Sequence, residues 1–598
     1  MKHRSIDIHV PVLARVEGEG ALELKIRGQQ INELRLRIYE PPRFFEKFLE
    51  GRNYYDIPDT VARICGICPV AYQMSAVHAI ESIFEVEITP WTHDMRRVMY
   101  CGEWLQSHSL HIHMLAAPDY LGFNSVIEMS ADYAYEVHRG FRLQSLGNDL
   151  ISLFGGRSVH PVGVCAGGFH KAPSEEKMAL MLARLHDAIR DAEELVKWTA
   201  SLDLPDDEQD FISVAMRHAS EYPLNGGRIV SDRGLDIGIE EYEKYFAEHQ
   251  VAHSTALHSL LEGLPYLLGP LARINLNRDK LPQAVTSTMD ATGITFPSRN
   301  MFHSIVARAV EIHYVILQAA RLLENYSKPE KPHVKVTAKA GIGFGCSEAP
   351  RGLLWHRYEL DGMGQVKTAR IVPPTSQNQA RIEQDLRLSL EHLGLDKDED
   401  VLRLHAEKVI RNYDPCISCA THFLELKVEH HSHTEPVIDE TCSLEKDEEK
   451  IRVIGIGSPF AEDQLGWKVL EKLRQEYSKQ TMEDKHLSFL SLDRPGPALL
   501  EQLKNADRII LIDALKNTGK PGQVLRLNFV EIIQLKSDVF SSHDLGLAES
   551  LKLAKALGYP QEVILIGMEI AEHCRGNIDE KQIDMLLAKV KKELLSDC

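Results

Sequence analysis

Apolar residues alternate from the start of the chain. Ile6, Ile8 and Val10 take every second position, and Leu22, Leu24 and Ile26 repeat the pattern, so residues 5–40 predict strands. The period then lengthens. Pro42–Arg52 predicts the start of a short helix and Ala71–Phe84 an apolar one. Asp94–Ser201 reads as helical, and residues 220–345 as short strands alternating with long helices. Ser298–Glu324 predicts a long helix whose start is marked by Pro297, and Gln379–Glu391 predicts another. Phe423–Val428 alternates as a strand. Glu429–Lys450, with eight acids against two lysines, predicts a solvated linker. Beyond it Ile451–Gly457, Arg508–Ile512 and Glu562–Ile566 are largely apolar runs with helices between, the pattern of a parallel sheet buried on both faces. The expected architecture is mainly α with an N-terminal β portion over residues 1–427, an acidic linker over 428–450, and a separate α/β doubly wound domain over 451–598.

Composition adds bounds. A chain of 598 residues is too long for one core. With 44% hydrophobic and 26% charged residues it reads as an ordinary soluble protein. A net charge of −19 argues against nucleic acid as a partner. No run of about eighteen apolar residues occurs, and Met1–Ser5 leads straight into strand-type residues. The expectation is a cytoplasmic chain without membrane insertion. Ten cysteines make no disulfide framework here, and in a reducing compartment Cys-x-x-Cys pairs signal metal or redox chemistry.

Two such pairs are present, Cys65-Gly66-Ile67-Cys68 and Cys416-Ile417-Ser418-Cys419. Together they supply four thiolates, enough to enclose a soft metal ion. Paired motifs of structural zinc sites usually lie about 15–20 residues apart. These pairs lie far further apart, so a shared site must be assembled between distant elements. Spacing alone leaves unrelated pairs or a zinc clip as equal readings. Cys65 and Cys68 lead into a predicted helix, whose dipole favours thiolate. His108, His111 and His113 do not all share one helical face and read as structural. Cys101, Cys165 and Cys346 read as small core residues. Cys442, Cys574 and Cys598 match no motif.

The flanking residues are more specific. Arg63-Ile64-Cys65-Gly66-Ile67-Cys68-Pro69 and Asp414-Pro415-Cys416-Ile417-Ser418-Cys419-Ala420-Thr421-His422 resemble the first and last signature motifs of the large subunit of nickel–iron hydrogenases, and the resemblance covers roughly residues 1–427. It implies reversible heterolytic cleavage of dihydrogen. It implies nickel held by Cys65, Cys68, Cys416 and Cys419, with Cys68 and Cys419 bridging to an iron that carries carbon monoxide and cyanide. Val16-Glu17-Gly18, read alone a glycine turn, resembles a family motif whose glutamate carries the proton away; that role falls on Glu17, with Arg351 of Glu348–Gly352 as the rival. Glu46 of Pro42–Arg52, with His422, falls on a magnesium site, although Phe44 replaces the family's glycine. Pro374 and Ser376 fall in the pocket around the iron's ligands. Tyr72 stands where many members carry a histidine, and its hydroxyl is a possible substitute donor. The resemblance also implies an iron–sulfur small subunit, diaphorase-type subunits that reduce a soluble cofactor, and maturation chaperones.

From about residue 451 the chain resembles the endopeptidases that mature those large subunits by cutting just after the final motif, here between His422 and Phe423. Gly455–Gly466, Ile512-Asp513-Ala514 and Ser542–Leu547 carry the resemblance, which implies nickel sensing by Asp463, Asp513 and His543. The first loop is one residue short, so Glu462 is an alternative to Asp463. Two other readings stand beside this one: an unprocessed fusion whose C-terminal domain is a nickel-binding assembly chaperone, and a zinc-stabilised scaffold without redox chemistry.

Overall fold

The computed structural model describes residues 5–421, 450–457, 464–477, 487–493, 507–515, 522–534, 551, 562–569 and 580–594. The chain divides into two compact units, residues 1–427 and 428–598.

The alternation near the N-terminus becomes a three-stranded antiparallel sheet of β1 (Ser5–Val10), β2 (Gly20–Arg27) and β3 (Gln30–Ile38). Ile6 pairs with Ile26 and Ile8 with Leu24, which puts the apolar alternates on one buried face. The one-turn helix α1 (Phe45–Leu49) follows. Next come α2 (Pro69–Phe84) and α3 (Pro90–Leu110). Proline opens both helices, where its missing N–H costs nothing. The Thr89 hydroxyl caps α3 by accepting the Thr92 N–H.

The helix α4 (Ala134–Gly155) crosses α3 at paired glycines. A Cβ on Gly147 would sit 2.5 Å from the Gln106 nitrogen, and one on Gly102 would sit 2.9 Å from the Gly147 carbonyl oxygen. Only glycine admits that approach. Two further helices, α5 (Glu175–Ala200) and α6 (Ser304–Glu324), complete the bundle. Between them lies a hairpin of β4 (Phe246–His249) and β5 (His258–Leu261). A second antiparallel sheet, β6 (Gly341–Ala349), β7 (Gly352–Leu360) and β8 (Val366–Val372), lies against α2. The helices α7 (Pro374–Leu393) and α8 (Glu399–Asn412) lead to the second cysteine pair.

Two details depart from the predicted elements. The helical stretch from Asp94 is broken by a strand pair, Val164–Cys165 with Gly168–Phe169. The helix expected from Ser298 starts at Ser304, because Asn300 accepts the Phe302 N–H and caps a 3-10 turn over Met301–His303.

The second unit holds a five-stranded sheet of β9 (Ile451–Gly457), β10 (Leu487–Asp493), β11 (Arg508–Leu515), β12 (Val524–Asn528) and β13 (Glu562–Glu569), in the order β10-β9-β11-β13-β12. Four strands run parallel, and β12 pairs antiparallel with β13 at the edge. On one face α9 (Leu465–Glu476) and α11 (Glu580–Leu594) bury Val469, Leu473, Leu586 and Val590. On the other, Ile454, Leu511 and Leu565 pack with Ile532 of α10 (Phe529–Gln534). The expected wholly parallel sheet therefore has an antiparallel edge, which is half-exposed and interleaves Arg526 and Asn528 with its leucines. Phe423–Val428 and the acidic linker lie outside the described residues, apart from Lys450. Among the described residues no helix is long and apolar enough to cross a membrane.

Candidate metal centre

Each cysteine pair sits at the entry to a helical turn. Cys65 follows a 3-10 turn, Ala62–Ile64, and Cys68 immediately precedes α2. Cys416 precedes the single turn Ile417–Ala420, which contains Cys419. The Ile67 and Cys68 N–H groups donate to Cys65 Sγ at 3.3 and 3.2 Å. The Glu103 carboxylate accepts the Val70 and Ala71 N–H groups at 2.6 and 3.1 Å and so caps α2 from outside its own chain segment.

The fold closes the two pairs on one another. Cys65 Sγ lies 3.4 Å from Cys416 Sγ, Cys68 Sγ lies 3.7 Å from Cys419 Sγ, and Cys416 Sγ lies 2.9 Å from Cys419 Sγ. All four sulfurs fall within 4.8 Å of one another, and none of the four residues is more than 4% exposed. Burial pushes every one of these thiols up. At Cys65, hydrogen bonds from Cys416, Cys419 and Cys68, with the Arg351 charge nearby, outweigh burial and hold the thiol well below its usual value. Cys68, Cys416 and Cys419 stay above theirs, burial being the first cause. Four thiolate donors in this volume need a multivalent soft cation among them, and the donor set fits nickel and iron.

Around the sulfurs, distant segments are tied together. Arg43 donates one Nη2 to the carbonyls of both Ile64, at 2.6 Å, and Ser418, joining the two cysteine loops. Cys416 donates its N–H to Thr375 Oγ1 at 3.0 Å in the first turn of α7. Glu17 forms a parallel bridge with Cys416; its carbonyl accepts the Ile417 N–H at 3.0 Å and its Oε2 the Ser418 N–H at 3.1 Å. Gly18, with φ of 87°, makes room, because a Cβ there would lie 2.7 Å from Ile417 Cβ. Burial, then the negative charge of Cys65, raise the Glu17 carboxyl above the usual range, against the pull of hydrogen bonds from Ser418 and Cys416.

Arg351 is buried. It donates Nε to the Asp414 carbonyl at 2.9 Å, Nη2 to Asp414 Oδ1 at 3.0 Å, and Nη1 to Ser107 Oγ at 3.1 Å. Burial opposes its charge, but Asp414 and the cysteines favour it more, so the guanidinium stays charged. Pro374 is the first residue of α7, and Ser376 donates its hydroxyl to the Pro373 carbonyl at 3.0 Å. Tyr72 is fully buried, and burial together with the charges of Cys419 and Cys68 keeps it protonated.

Glu46 accepts the Ile371 N–H at 2.6 Å. Burial, with Glu248 close by, pushes its carboxyl up to about 8, and burial raises Glu248 to about 7. A half-buried pair of carboxylates raised together suits a hard divalent cation, and magnesium fits that donor chemistry. His422 and Phe423 lie outside the described residues; the carbonyl of Thr421, just before them, accepts the Arg43 N–H at 2.7 Å.

In the second unit Asp513 is buried near the C-terminal end of β11, where its Oδ1 accepts the Ala514 N–H at 2.8 Å. Asp463, Glu462 and His543 lie outside the described residues. The three helical histidines have separate structural partners. His108 pairs with Glu311 at 2.9 Å, His111 with the Arg411 carbonyl at 2.8 Å, and His113 with the Ser109 carbonyl at 3.0 Å. Arg43, Thr375 and Glu103 were not marked by sequence; the only signal for Arg43 was its place beside Glu46 in one motif.

The geometry agrees with comparison to known proteins. The nickel-dependent hydrogenase family matches residues 43–142 and 243–422, and the hydrogenase maturation protease family matches residues 467–590. The chain belongs to the nickel-dependent hydrogenases, with a maturation protease domain fused behind the large-subunit domain. The alpha chain of sulfhydrogenase 1 from Pyrococcus furiosus is 33% identical over 430 residues, 71% of this chain and 100% of that protein. A subunit of the F420-non-reducing hydrogenase of Methanothermobacter marburgensis is 29% identical over 451 residues, 69% of this chain and 94% of that protein. Among solved structures, an NAD+-reducing [NiFe]-hydrogenase in the H2-reduced state superposes with a TM-score of 0.64 at 26% identity, covering 70% of this chain and 99% of that one. A [NiFeSe] hydrogenase from Desulfovibrio vulgaris Hildenborough shares the fold at 22% identity and a TM-score of 0.60, over 71% of this chain and 100% of that one. The zinc-scaffold reading is set aside by this membership.

Proposed function

We propose that residues 1–427 form the catalytic subunit of a nickel–iron hydrogenase that splits dihydrogen reversibly and heterolytically, and that residues 451–598 release its C-terminal extension by cutting between His422 and Phe423. The observation that carries the first part is the closure of four buried cysteines beside a carboxylate whose pKa burial has raised. Nickel held there by Cys65, Cys68, Cys416 and Cys419, with an iron carrying carbon monoxide and cyanide, would supply the polarising and electron-accepting chemistry that dihydrogen cleavage needs.

The chain's own groups handle the proton. Cys416 Sγ receives it, and the Glu17 carboxylate, hydrogen-bonded to Cys416, takes it on. Its raised pKa lets the carboxyl hold and give up a proton nearer neutrality than an exposed glutamate does. Arg351, held by Asp414 and Ser107, offers a fixed positive charge beside Cys416 and is the alternative partner. Pro374 and Ser376 stand at the first turn of α7, next to the residue that holds Cys416, and are assigned to the pocket of the iron's small ligands.

Glu46 and His422 are assigned to magnesium, which would remove the cost of charging Glu46. Electrons leave through an iron–sulfur small subunit, then diaphorase-type subunits; the relatives are themselves named as hydrogenase subunits. Assembly engages maturation chaperones, and reduced buried cysteines suit the cytoplasm.

Asp513, with Asp463 and His543, would sense nickel before the cut; the maturation protease match supports this. The test is the intact mass of protein from nickel-supplied and nickel-starved cells. A nickel-dependent product ending at His422, absent from Asp513→Ala, supports processing. Full-length protein in both cultures overturns it and leaves the C-terminal domain as a nickel-binding chaperone.

A further inference from the structure

A second group of ligand-type side chains lies outside the cysteine site. The β4–β5 hairpin pairs His249 directly opposite His258, with ring centroids 5.7 Å apart. The intervening loop brings His253 to within 5.9 Å of the His258 ring. From α7, Glu383 presents Oε1 at 2.7 Å from His253 Nε2, and the same oxygen accepts the Leu36 N–H of β3 at 2.9 Å. One donor atom from each of His253, His258 and Glu383 lies within 4.8 Å of the others. His258 is only 3% exposed, yet its Nε2 is buried with no hydrogen-bond partner.

An imidazole nitrogen buried without a partner costs about 1–3 kcal/mol, so it calls for an occupant or a function. Burial, with His249 and His253 alongside, holds His258 down to about 3, which leaves its lone pair available at neutral pH.

We propose that His253, His258 and Glu383 form a separate divalent-metal site, with zinc as the fitting ion and water or His249 as the fourth ligand. Two imidazoles and one carboxylate are a nitrogen–oxygen set that suits zinc, in contrast to the thiolate set at the cysteine centre. A tetrahedral ion with bonds of about 2.0–2.2 Å holds its ligand atoms roughly 3.3–3.6 Å apart; the 2.7 Å between His253 Nε2 and Glu383 Oε1 and the 4.8 Å limit on the whole group bracket that spacing. The site is distinct from the Glu46 and Glu248 pair, because Glu248 and His249 are neighbours on one strand and point to opposite faces of the hairpin.

Its role is that of a tie. The ion joins the hairpin and β3 to α7, whose first turn holds the Cys416 N–H through Thr375. It carries no substrate and takes part in no redox step.

The test uses the full chain with both cysteine pairs intact, assayed for zinc and nickel together and then loaded with cobalt(II). Wild type is expected to hold one zinc equivalent more than His253→Gln and Glu383→Gln, at unchanged nickel content. Both variants keep a hydrogen-bonding group in place: the first still offers Glu383 a donor, and the second still offers Leu36 an acceptor. Added zinc should raise the thermal midpoint of wild type and leave the variants unmoved. Cobalt should give visible bands without thiolate charge transfer in wild type only. Equal zinc in all three proteins, or no zinc response in wild type, overturns the site and leaves the cluster as a plain ion pair beside a buried histidine.

Discussion

In the proposed proton path, Glu17 is the side chain that takes the proton from Cys416. Its carboxylate is held by the Ser418 N–H and by Cys416, and an amide in its place keeps the shape but cannot take a proton. Glu17→Gln is therefore expected to lower dihydrogen–deuteron exchange by about 100-fold or more, with nickel content unchanged. Loss of nickel along with activity would make Glu17 a structural residue instead. Its neighbour Gly18 acts through space rather than chemistry. With φ of 87° and a virtual Cβ 2.6 Å from Glu40 Oε2, it has no room for a side chain. Gly18→Ala should cost about 1–2 kcal/mol from the backbone alone, with more from the displaced Ile417 loop, read as a lower thermal midpoint and a weaker hold on nickel. Phe44 shows the converse. It takes a left-handed φ of 55° although it carries a bulky side chain, a conformation such residues rarely adopt.

At the scale of elements, much of the frame was legible in the sequence. Alternation gave the N-terminal sheet because one face is buried, and the long apolar helices declared themselves because their apolar runs are too long for strands, Ser304–Glu324 being buried on almost every side. Some small pieces were not legible. The Val164–Cys165 strand pair is too short to show a period, and Val524–Asn528 is a half-exposed edge; the Phe246–His249 hairpin falls in the stretch 220–345 that reads as short strands and helices, but its four-residue strands give no bounds. The site was legible through its cysteines, whose spacing and neighbours are unusual, but not through its supports. Arg43 reaches Ser418 across 375 residues, and Thr375 reaches Cys416 across 41. Hydrogen bonds between distant segments leave no local pattern to read. Because Arg43 alone bridges the Ile64 and Ser418 carbonyls with one nitrogen, Arg43→Lys should lower the nickel retained after dialysis, while the helical circular dichroism signal stays intact. Retention equal to wild type would show that the loops are held without it.

Across the first unit, several histidines are buried as neutral bases. Burial holds His78, His108 and His405 at about 4, and His111 and His113 at about 3. In the unfolded chain each returns to about 6.5 and binds a proton more readily. The histidine contribution to stability is therefore full above pH 6.5 and is lost as pH falls toward 4 and 3, since the unfolded state binds more protons there, whereas the raised carboxyls of Glu46, Glu248 and Glu348 act in the opposite sense and lose stability as pH rises toward 7 and 8. Glu311, held at about 2 against burial by Arg273 and His108, loses its contribution in the same direction at still lower pH. A plot of thermal midpoint against pH should fall most steeply below about 4.5, where the unfolded carboxyls are protonated as well and no longer offset the histidines. A level plot down to pH 3 would contradict these buried neutral states.

The closed packing of the four sulfurs also gives the centre a history. Two sulfurs come from the start of the unit and two from its last described segment, and none is open to solvent. Because all four lie buried with Ile417–Ala420 docked on Glu17 and Arg43, a metal ion is expected to reach them when that segment opens. What the site contains was settled before that segment closed, and it can be revised only as often as the segment opens. Folded protein placed in a pool of isotopically labelled nickel should therefore take up label at the rate of that opening, however large the pool.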